Sequence, residues 1–206
     1  MLNRDLFIPT GSYDIEQALG CPGLPEGVIS TLVGGPDSGK TPFSIHLAAQ
    51  CQRLGGMVTI IDSEACYEPS WMDTIGVTEK GLEVIDPSEE SFSVEWCFEL
   101  IRQICASRHG KRRPSASHLV VWDTFSQTPT ESEQDPSKGG GLGEHARITS
   151  KALRTLVGCL SRSRTTLLCV LQPRLNVQIG RQFGPPSERY IAYREWFHAA
   201  VIQLQM

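Results

Sequence analysis

The sequence predicts an α/β fold, with a mostly parallel central sheet flanked by helices on both faces. Short apolar runs typical of buried strands alternate along the chain with longer stretches in which apolar residues recur at helical spacing. Strands that are separated by helices usually pair in parallel, because the helix between them crosses back over the sheet. We find no internal repeat and no domain-scale linker, so we expect one domain over residues 1–206.

The composition is that of a soluble globular protein. Hydrophobic residues make up 40% and charged residues 20% of the chain. The net charge of −4 gives no general attraction to nucleic acid, so any such surface must be a local patch. Apolar runs are too short for a membrane span, and no signal-peptide pattern opens the sequence. Seven cysteines without a C-x-x-C pair favour reduced thiols in a cytosolic protein over disulfides or a zinc site.

A glycine-rich turn between the first predicted strand, Val28–Val33, and a helix ending near Arg53 carries the strongest motif. The turn GGPDSGKT, from Gly34 to Thr41, fits G-x-x-x-x-G-K-[ST], a phosphate-binding pattern in this strand–loop–helix context. Its glycines let N–H groups point at phosphate oxygens. Lys40 adds a charge for the β- and γ-phosphates, and the Thr41 hydroxyl can ligate Mg²⁺. We expect a bound nucleoside triphosphate; the alternative is a Gly/Pro surface turn with a stray lysine.

The remaining elements follow in alternation. We predict further strands over residues 57–61, 82–85, 118–122, 165–171 and 199–204, and helices over 69–75, from Ser91 onward, and over about 144–161. Residues 1–27 have little periodicity and are predicted as loop and turn. Two long loops, 124–143 and 173–189, are rich in Gly, Pro and Ser or carry several arginines. Loops of this length inside compact domains are usually functional or disordered.

Polar side chains stand where the predicted strands end. Glu64 follows the second strand of the sheet, Asp123 closes the strand HLVVW, and Gln172 follows the strand at 165–171. Ligands of parallel α/β sheets lie beyond these carboxyl ends. Asp123 is suited to hold Mg²⁺ through water, Glu64 to deprotonate an attacking water, and Gln172 to contact a γ-phosphate. The alternative for Glu64 and Gln172, taken singly, is a solvated strand end.

With these motifs in place, the chain resembles the core of the RecA family of DNA-strand-exchange ATPases. The resemblance begins at TGSYDIEQALG, residues 10–20, and continues through GLPEG, GGPDSGKT and IDSEACYEPSWMDTIGV, residues 61–77. It ends with QPR, residues 172–174, and IGRQFGPP, residues 179–186. These signatures occur in the family's order and spacing over nearly the whole chain. The resemblance implies a RecA-like P-loop NTPase fold.

The resemblance also implies roles for individual residues at an ATP and Mg²⁺ site. It makes Glu64 the general base, Gln172 the phosphate sensor, and Thr41 and Asp123 the metal site. Trp71 falls on the adenine-stacking aromatic and Glu68 on the acidic position beside the base. The predicted nucleotide-binding loop comprises Gly34, Gly35, Pro36, Asp37, Ser38, Gly39, Lys40, Thr41 and Pro42.

The second long loop is the predicted binding site for single-stranded DNA. The resemblance places Arg174, Phe183 and Gly184 in the family's second DNA loop. Arg181 and Arg189 add charges for phosphate contacts, and Phe183 can stack on bases. The alternative is an ordinary basic, proline-rich surface loop.

Three features depart from the family pattern. Pro42 stands where the family has an N–H that points at the α-phosphate, and proline has none. The family's amino-terminal polymerisation helix and its carboxyl-terminal domain have no counterpart in these 206 residues. Trp196 replaces a lysine of bacterial members, beside Phe197, the aromatic that reaches a neighbouring subunit's nucleotide. These departures fit a compact phage-type recombinase or a divergent paralog.

The sequence is therefore interpreted as a cytoplasmic ATP-dependent, single-stranded-DNA-binding ATPase of homologous recombination and DNA repair, nuclear if its host is a eukaryote. The expected cofactors are ATP and Mg²⁺, with no membrane partner. Self-assembly into a filament or ring, or binding to a recombinase or polymerase, stays open. The alternative function is a catalytically weak adaptor or regulator with the same fold. A hexameric-helicase motor is disfavoured by the FGPP loop and the TGSYDIEQALG entry.

Overall fold

The computed structural model describes residues 6–88, 92–110, 114–135, 137, 143–172, 174–175, 188–189 and 193–206. Its centre is a six-stranded sheet in which every neighbouring pair is parallel. The strands are β3 (Ile29–Val33), β4 (Met57–Asp62), β5 (Leu82–Ile85), β6 (His118–Asp123), β7 (Thr165–Leu171) and β10 (Ile202–Gln205). Their order in the sheet is β10-β3-β7-β6-β4-β5. The predicted α/β class is confirmed.

Helices cover both faces of this sheet. They are α2 (Lys40–Arg53), α3 (Pro69–Ile75), α4 (Val94–Ser107), the short α5 (Glu131–Gln134), α6 (Glu144–Ser163) and α7 (Tyr193–Ala199). Residues of β6 alternate between two hydrophobic clusters: Leu119 and Val121 pack on the side of α2, Val120 and Trp122 on the side of α4 and α6. Burial on both faces explains why the central strands are continuous apolar runs rather than alternating ones.

Short elements precede and follow the main sheet. Strands β1 (Phe7–Pro9) and β2 (Gly23–Pro25) pair antiparallel around helix α1 (Tyr13–Leu19), in the region predicted as loop. None of the residues of α1 is buried. Its sequence therefore needs no apolar stripe, which is the pattern from which a helix is predicted. Near the other end, β8 (Arg174–Leu175) and β9 (Glu188–Arg189) form a two-residue antiparallel pair.

Two predicted element boundaries differ from those in the structure. Helix α4 begins after Ser93, whose hydroxyl accepts the Trp96 N–H at 3.2 Å, rather than at Ser91. The last strand begins at Ile202 rather than 199, because residues 193–199 form α7.

The loop predicted over 124–143 contains local structure. A 3-10 turn covers Phe125–Gln127, and α5 starts with a capping box between Thr130 and Glu133. Two contacts join α5 to the start of α6. His145 Nε2 lies 3.0 Å from Glu133 Oε2, and the Ser132 hydroxyl donates to Glu144. We name these two contacts the α5–α6 clip.

Trp196 lies in the core, fully buried. Its ring centroid is 5.2 Å from that of Phe125, 6.1 Å from that of Phe98 and 6.3 Å from that of Trp122. These aromatic contacts hold α7 against the sheet. The departure from the family lysine is therefore a packing feature of this chain. Within the described residues, no helix combines the length and apolarity needed to span a bilayer.

We expect His118 to make the fold acid-sensitive. Burial lowers the pKa of this imidazole from 6.5 to about 4, with Arg108 adding to the effect. The buried Nδ1 has no hydrogen-bond partner among the described residues, while Nε2 lies 2.9 Å from Thr59 Oγ1. Below pH 6.5 the unfolded chain therefore binds a proton that the folded chain resists. The free energy of unfolding should fall by up to about 3 kcal/mol as the pH drops from 6.5 to about 4.

Urea unfolding at several pH values between 7 and 4 checks this expectation. His118→Asn should flatten the pH dependence across the window, whereas His109→Gln, at an exposed position, should leave it as in the wild type. Parallel curves for the wild type and His118→Asn would contradict it.

Candidate functional site

The loop between β3 and α2 has the backbone geometry of a phosphate cradle. Gly39, the residue before α2, has φ +89°, and Asp37 has φ +56°, so the chain turns through left-handed conformations. A Cβ on Gly34 would lie 2.5 Å from Ser38 Oγ and 3.0 Å from the Met206 carbonyl oxygen. Glycine is thus required at 34 by close approach and favoured at 39 by its positive φ. Backbone N–H groups in such turns form an anion-binding concavity.

Lys40 is the first residue of α2 and is 7% exposed. Its ammonium donates to the carbonyl of Gly35 and lies 3.4 Å from Ser38 Oγ. The side chain therefore bends back over the loop and holds its charge at the helix N-terminus, where phosphate oxygens are also favoured.

Thr41 and Asp123 form the predicted metal pair. Thr41 Oγ1 donates to Asp123 Oδ2 at 2.7 Å, across 82 residues of sequence. The hydroxyl keeps its lone pairs for a metal, and hard oxygen ligands of this kind suit Mg²⁺. In the described part of the chain, no three His, Cys, Asp or Glu side chains form a group that could hold a metal ion. Mg²⁺ does not need one, because one or two protein oxygens commonly bind it together with waters and substrate phosphates.

The Asp123 carboxyl is 2% exposed. Burial raises its pKa above the usual value, and hydrogen bonds from Thr41 and Tyr67 oppose that rise. A divalent cation beside the carboxyl favours the ionised form. The residues present therefore fit Mg²⁺.

Glu64 follows β4 at the same edge of the sheet. The register pairs Asp62 with Asp123, so Glu64 and Thr124 emerge side by side. Thr124 Oγ1 donates to Glu64 Oε1 at 3.2 Å, and the Glu64 N–H bonds to Asp62 Oδ1 at 3.2 Å. Glu64 is exposed, while these two hydrogen bonds hold its backbone N–H and one carboxylate oxygen. Such a group can accept a proton from a water beside it.

Gln172 directly follows β7. Its N–H donates to Ser126 Oγ and its carbonyl accepts from the same hydroxyl, both at 3.1 Å. Ser126, which follows β6, therefore fixes the backbone of Gln172 and leaves the side chain to face the cavity.

One cavity of about 540 Å³ brings these groups together. Half-buried Trp71 and residues 36–42 of the predicted loop line it, whereas Gly34 and Gly35 do not. The lining residues are Pro36, Asp37, Ser38, Gly39, Lys40, Thr41, Pro42, Glu64, Cys66, Trp71, Asp123, Thr124 and Gln172. The volume lies in the range of small-molecule and cofactor sites. Glu68 does not line it: this residue is exposed at the N-cap of α3.

Some lining or supporting residues escape the sequence analysis. Tyr67 and Thr124 both hydrogen-bond to predicted site carboxylates, Ser126 holds Gln172, and Cys66 lines the cavity. Burial and the nearby Asp62 carboxylate raise the pKa of the Cys66 thiol to about 12. Their position in the sequence is the available signal, since Thr124 and Ser126 lie within three residues of the end of β6, where Asp123 is a predicted ligand.

The predicted DNA loop is described only at its base. Arg174 and Arg189 are paired across β8 and β9, so the backbone places them opposite each other. The other candidates, Arg181, Phe183 and Gly184, lie outside the described residues.

Comparison with known proteins agrees with this geometry. A family model described as the RecA N-terminal domain matches residues 4–201. The chain belongs to the RecA family. Protein RecA of Porphyromonas gingivalis is 33% identical over 181 residues, 87% of this chain and 49% of that protein. Protein RecA of Heliobacterium modesticaldum is 34% identical over 181 residues, again 87% and 49%.

Protein RecA of Chloroflexus aurantiacus is 32% identical over 195 residues, 94% of this chain and 52% of that protein. The chain thus spans about half the length of the curated RecA proteins it matches. The residues matched by the family model, 4–201, include every residue that lines the cavity.

Within this RecA-family site, Pro42 is expected to weaken the hold on nucleotide. It lines the cavity as the third residue of α2. Proline costs no helical hydrogen bond at this position, because the bond that follows is donated by the next residue, from the Phe43 N–H to the Gly39 carbonyl at 3.1 Å. Pro42→Ala restores the N–H alone, and Pro42→Thr adds a hydroxyl. Both should tighten ATP binding by about 1–3 kcal/mol.

Isothermal titration with ATP and Mg²⁺ measures the effect. Equal gains in the two variants assign it to the backbone donor. Affinity that is unchanged or weaker in both variants would contradict the expectation.

Proposed function

We propose that this chain is an ATP-hydrolysing, single-stranded-DNA-binding member of the RecA family that acts in homologous recombination or DNA repair. One observation carries the proposal. A single cavity collects the phosphate loop and the residues at the carboxyl ends of the three adjacent strands β7, β6 and β4. The chemistry of phosphoryl transfer needs a cradle, a metal site and a group that orients water, and the cavity has a candidate for each.

The phosphates of ATP lie on the loop in this proposal. The N–H groups of the loop and the Lys40 ammonium neutralise the β- and γ-phosphates, while the loop's strained turn keeps those donors preorganised. Thr41 and Asp123 would hold Mg²⁺, which would supply positive charge beside the phosphate oxygens. Trp71 provides an aromatic surface for the base.

Glu64 acts as the general base. Its carboxylate accepts the proton of the attacking water, and the hydrogen bond from Thr124 limits its rotation. The phenol of Tyr67 and the hydroxyl of Thr41 both donate to Asp123 and limit the rotation of its carboxylate.

Gln172 links the phosphate to the DNA segment. It stands between β7 and β8, and β8 begins the stretch that carries the arginines and Phe183. A contact between the Gln172 side chain and the γ-phosphate would therefore change the backbone conformation at the start of that stretch. Phosphate contacts from arginine and stacking by Phe183 would bind a single strand without reading its sequence.

Phe197 supports assembly with further subunits. It is 50% exposed on α7, next to fully buried Trp196, so the helix is anchored by one aromatic and presents the other. We propose a neighbouring copy, or a related recombinase or polymerase, as the partner at this helix.

A second candidate function is a regulator or adaptor that keeps the fold with weak catalysis. Pro42 favours it, because a cavity-lining position of the loop lacks a donor. The complete set of Lys40, Thr41, Glu64 and Asp123 favours the ATPase.

Glu64→Gln should separate binding from chemistry. Loss of a general base lowers kcat by about 10²- to 10⁴-fold, while ATP affinity should stay within about twofold of the wild type. Phosphate release with and without single-stranded DNA, together with an ATP-binding titration, measures both. Lys40→Ala should lose binding as well as hydrolysis.

Glu79→Gln is the matched control, since Glu79 is exposed and makes no side-chain contact with the cavity. It should behave as the wild type. Absence of hydrolysis and of DNA binding in the wild type would favour the adaptor, and hydrolysis unaffected by Glu64→Gln would remove Glu64 from its proposed role.

A further inference from the structure

Tyr67 makes a contact with the metal pair that the motifs do not predict. Its phenolic O–H donates to Asp123 Oδ2 at 3.0 Å, the same oxygen that accepts the Thr41 hydroxyl at 2.7 Å. Two hydroxyl donors from different parts of the chain therefore converge on one carboxylate oxygen. In the described part of the chain, Oδ1 accepts no hydrogen bond and stays available to a metal-bound water.

Tyr67 is itself held by three kinds of contact. The Tyr67 side chain is 9% exposed and packs in the hydrophobic cluster beneath α2. The phenolic oxygen lies 2.8 Å from Ser44 Oγ, one turn along α2 from Thr41. The backbone N–H of Tyr67 donates to Asp62 Oδ2 at 2.9 Å. A group fixed in this way can fix its partner, because little freedom remains to be lost when the contact forms.

The geometry of the contact has a direct consequence for the carboxylate. A carboxylate with one donor can still rotate about its Cβ–Cγ bond and exchange its two oxygens. With two donors on Oδ2, arriving from α2 and from the loop after β4, rotation breaks two hydrogen bonds, both to a buried charge. The two donors therefore hold the plane of the carboxylate, with Oδ2 toward them and Oδ1 facing away.

We propose that Tyr67 is a positioning residue of the Mg²⁺ site, which holds Asp123 so that Oδ1 is presented to a metal-bound water. This inference rests on the proposed function, because it assumes that Mg²⁺ accompanies the nucleotide at Thr41. Tyr67 is buried and is not among the residues that line the cavity, so its effect would pass through Asp123.

The proposal predicts a selective defect in Tyr67→Phe. Loss of one hydrogen bond to a buried carboxylate should raise the Mg²⁺ concentration for half-maximal nucleotide binding by about tenfold. Affinity for the nucleotide in the presence of a chelator should not change, because no contact to the phosphate loop is removed. Tyr13→Phe is the matched control, since it makes the same chemical change on a side chain that is 75% exposed on α1.

The measurement is a titration of a fluorescent ATP analogue with the full chain, at a series of Mg²⁺ concentrations and with chelator alone. Direct binding of Mn²⁺ in the presence of the analogue, followed by electron paramagnetic resonance, gives a second readout that does not depend on hydrolysis. A purely structural role of Tyr67 would weaken binding in chelator as much as in Mg²⁺, and that result would overturn the proposal.

Three further outcomes are informative. If Tyr67→Phe does not fold, Ser44→Ala replaces it, because it removes the contact on the far side of the phenol and should shift the Mg²⁺ requirement in the same direction by a smaller factor. No shift would then overturn the proposal. A wild type that binds the analogue with Mg²⁺, beside a Tyr67→Phe that matches it, overturns this inference alone. A wild type that binds no nucleotide overturns both this inference and the proposed function.

Discussion

The buried carboxylate of Asp123 joins the parts of the site that come from distant stretches of sequence. It ends β6, accepts the hydroxyl of Thr41 from α2, and accepts the phenol of Tyr67 from the loop after β4. Each of these segments follows a different strand, and the parallel register brings them to one edge of the sheet. This one carboxylate is hydrogen-bonded to Thr41 at the end of the phosphate loop and to Tyr67 in the loop of Glu64. The remaining site residues are arranged around it.

The sequence is sufficient to predict the features that depend on local pattern or on parallel topology. The loop from Gly34 to Thr41 is a local motif, and Asp123 and Gln172 meet because parallel strands end at one edge. Tyr67 could not be found this way. Its contacts reach 23 residues back to Ser44 and 56 residues forward to Asp123, and they depend on how one loop folds over α2. Helices α1 and α7 were missed because neither has a repeated apolar stripe.

The aromatic cluster around Trp196 has a role in placing the site. It anchors α7, and α7 leads into β10, which pairs with β3. The last residue of the chain continues this pairing, since the Met206 N–H donates to the Val33 carbonyl at 2.9 Å. Strand β3 therefore has a neighbour on each side where it enters the phosphate loop, and the start of that loop is held. A lysine at position 196 could not fill this buried volume without burying its charge.

The α5–α6 clip also bears on how this protein can change over evolution. His145 with Glu133 and Ser132 with Glu144 join the two ends of the stretch at residues 136–142. Because the ends are already held together, added residues between them raise the free-energy cost of closing the loop only slowly, by about 0.6 kcal/mol per doubling of length. A change of length here is therefore compatible with unchanged positions of β6, α6 and the cavity at the strand ends.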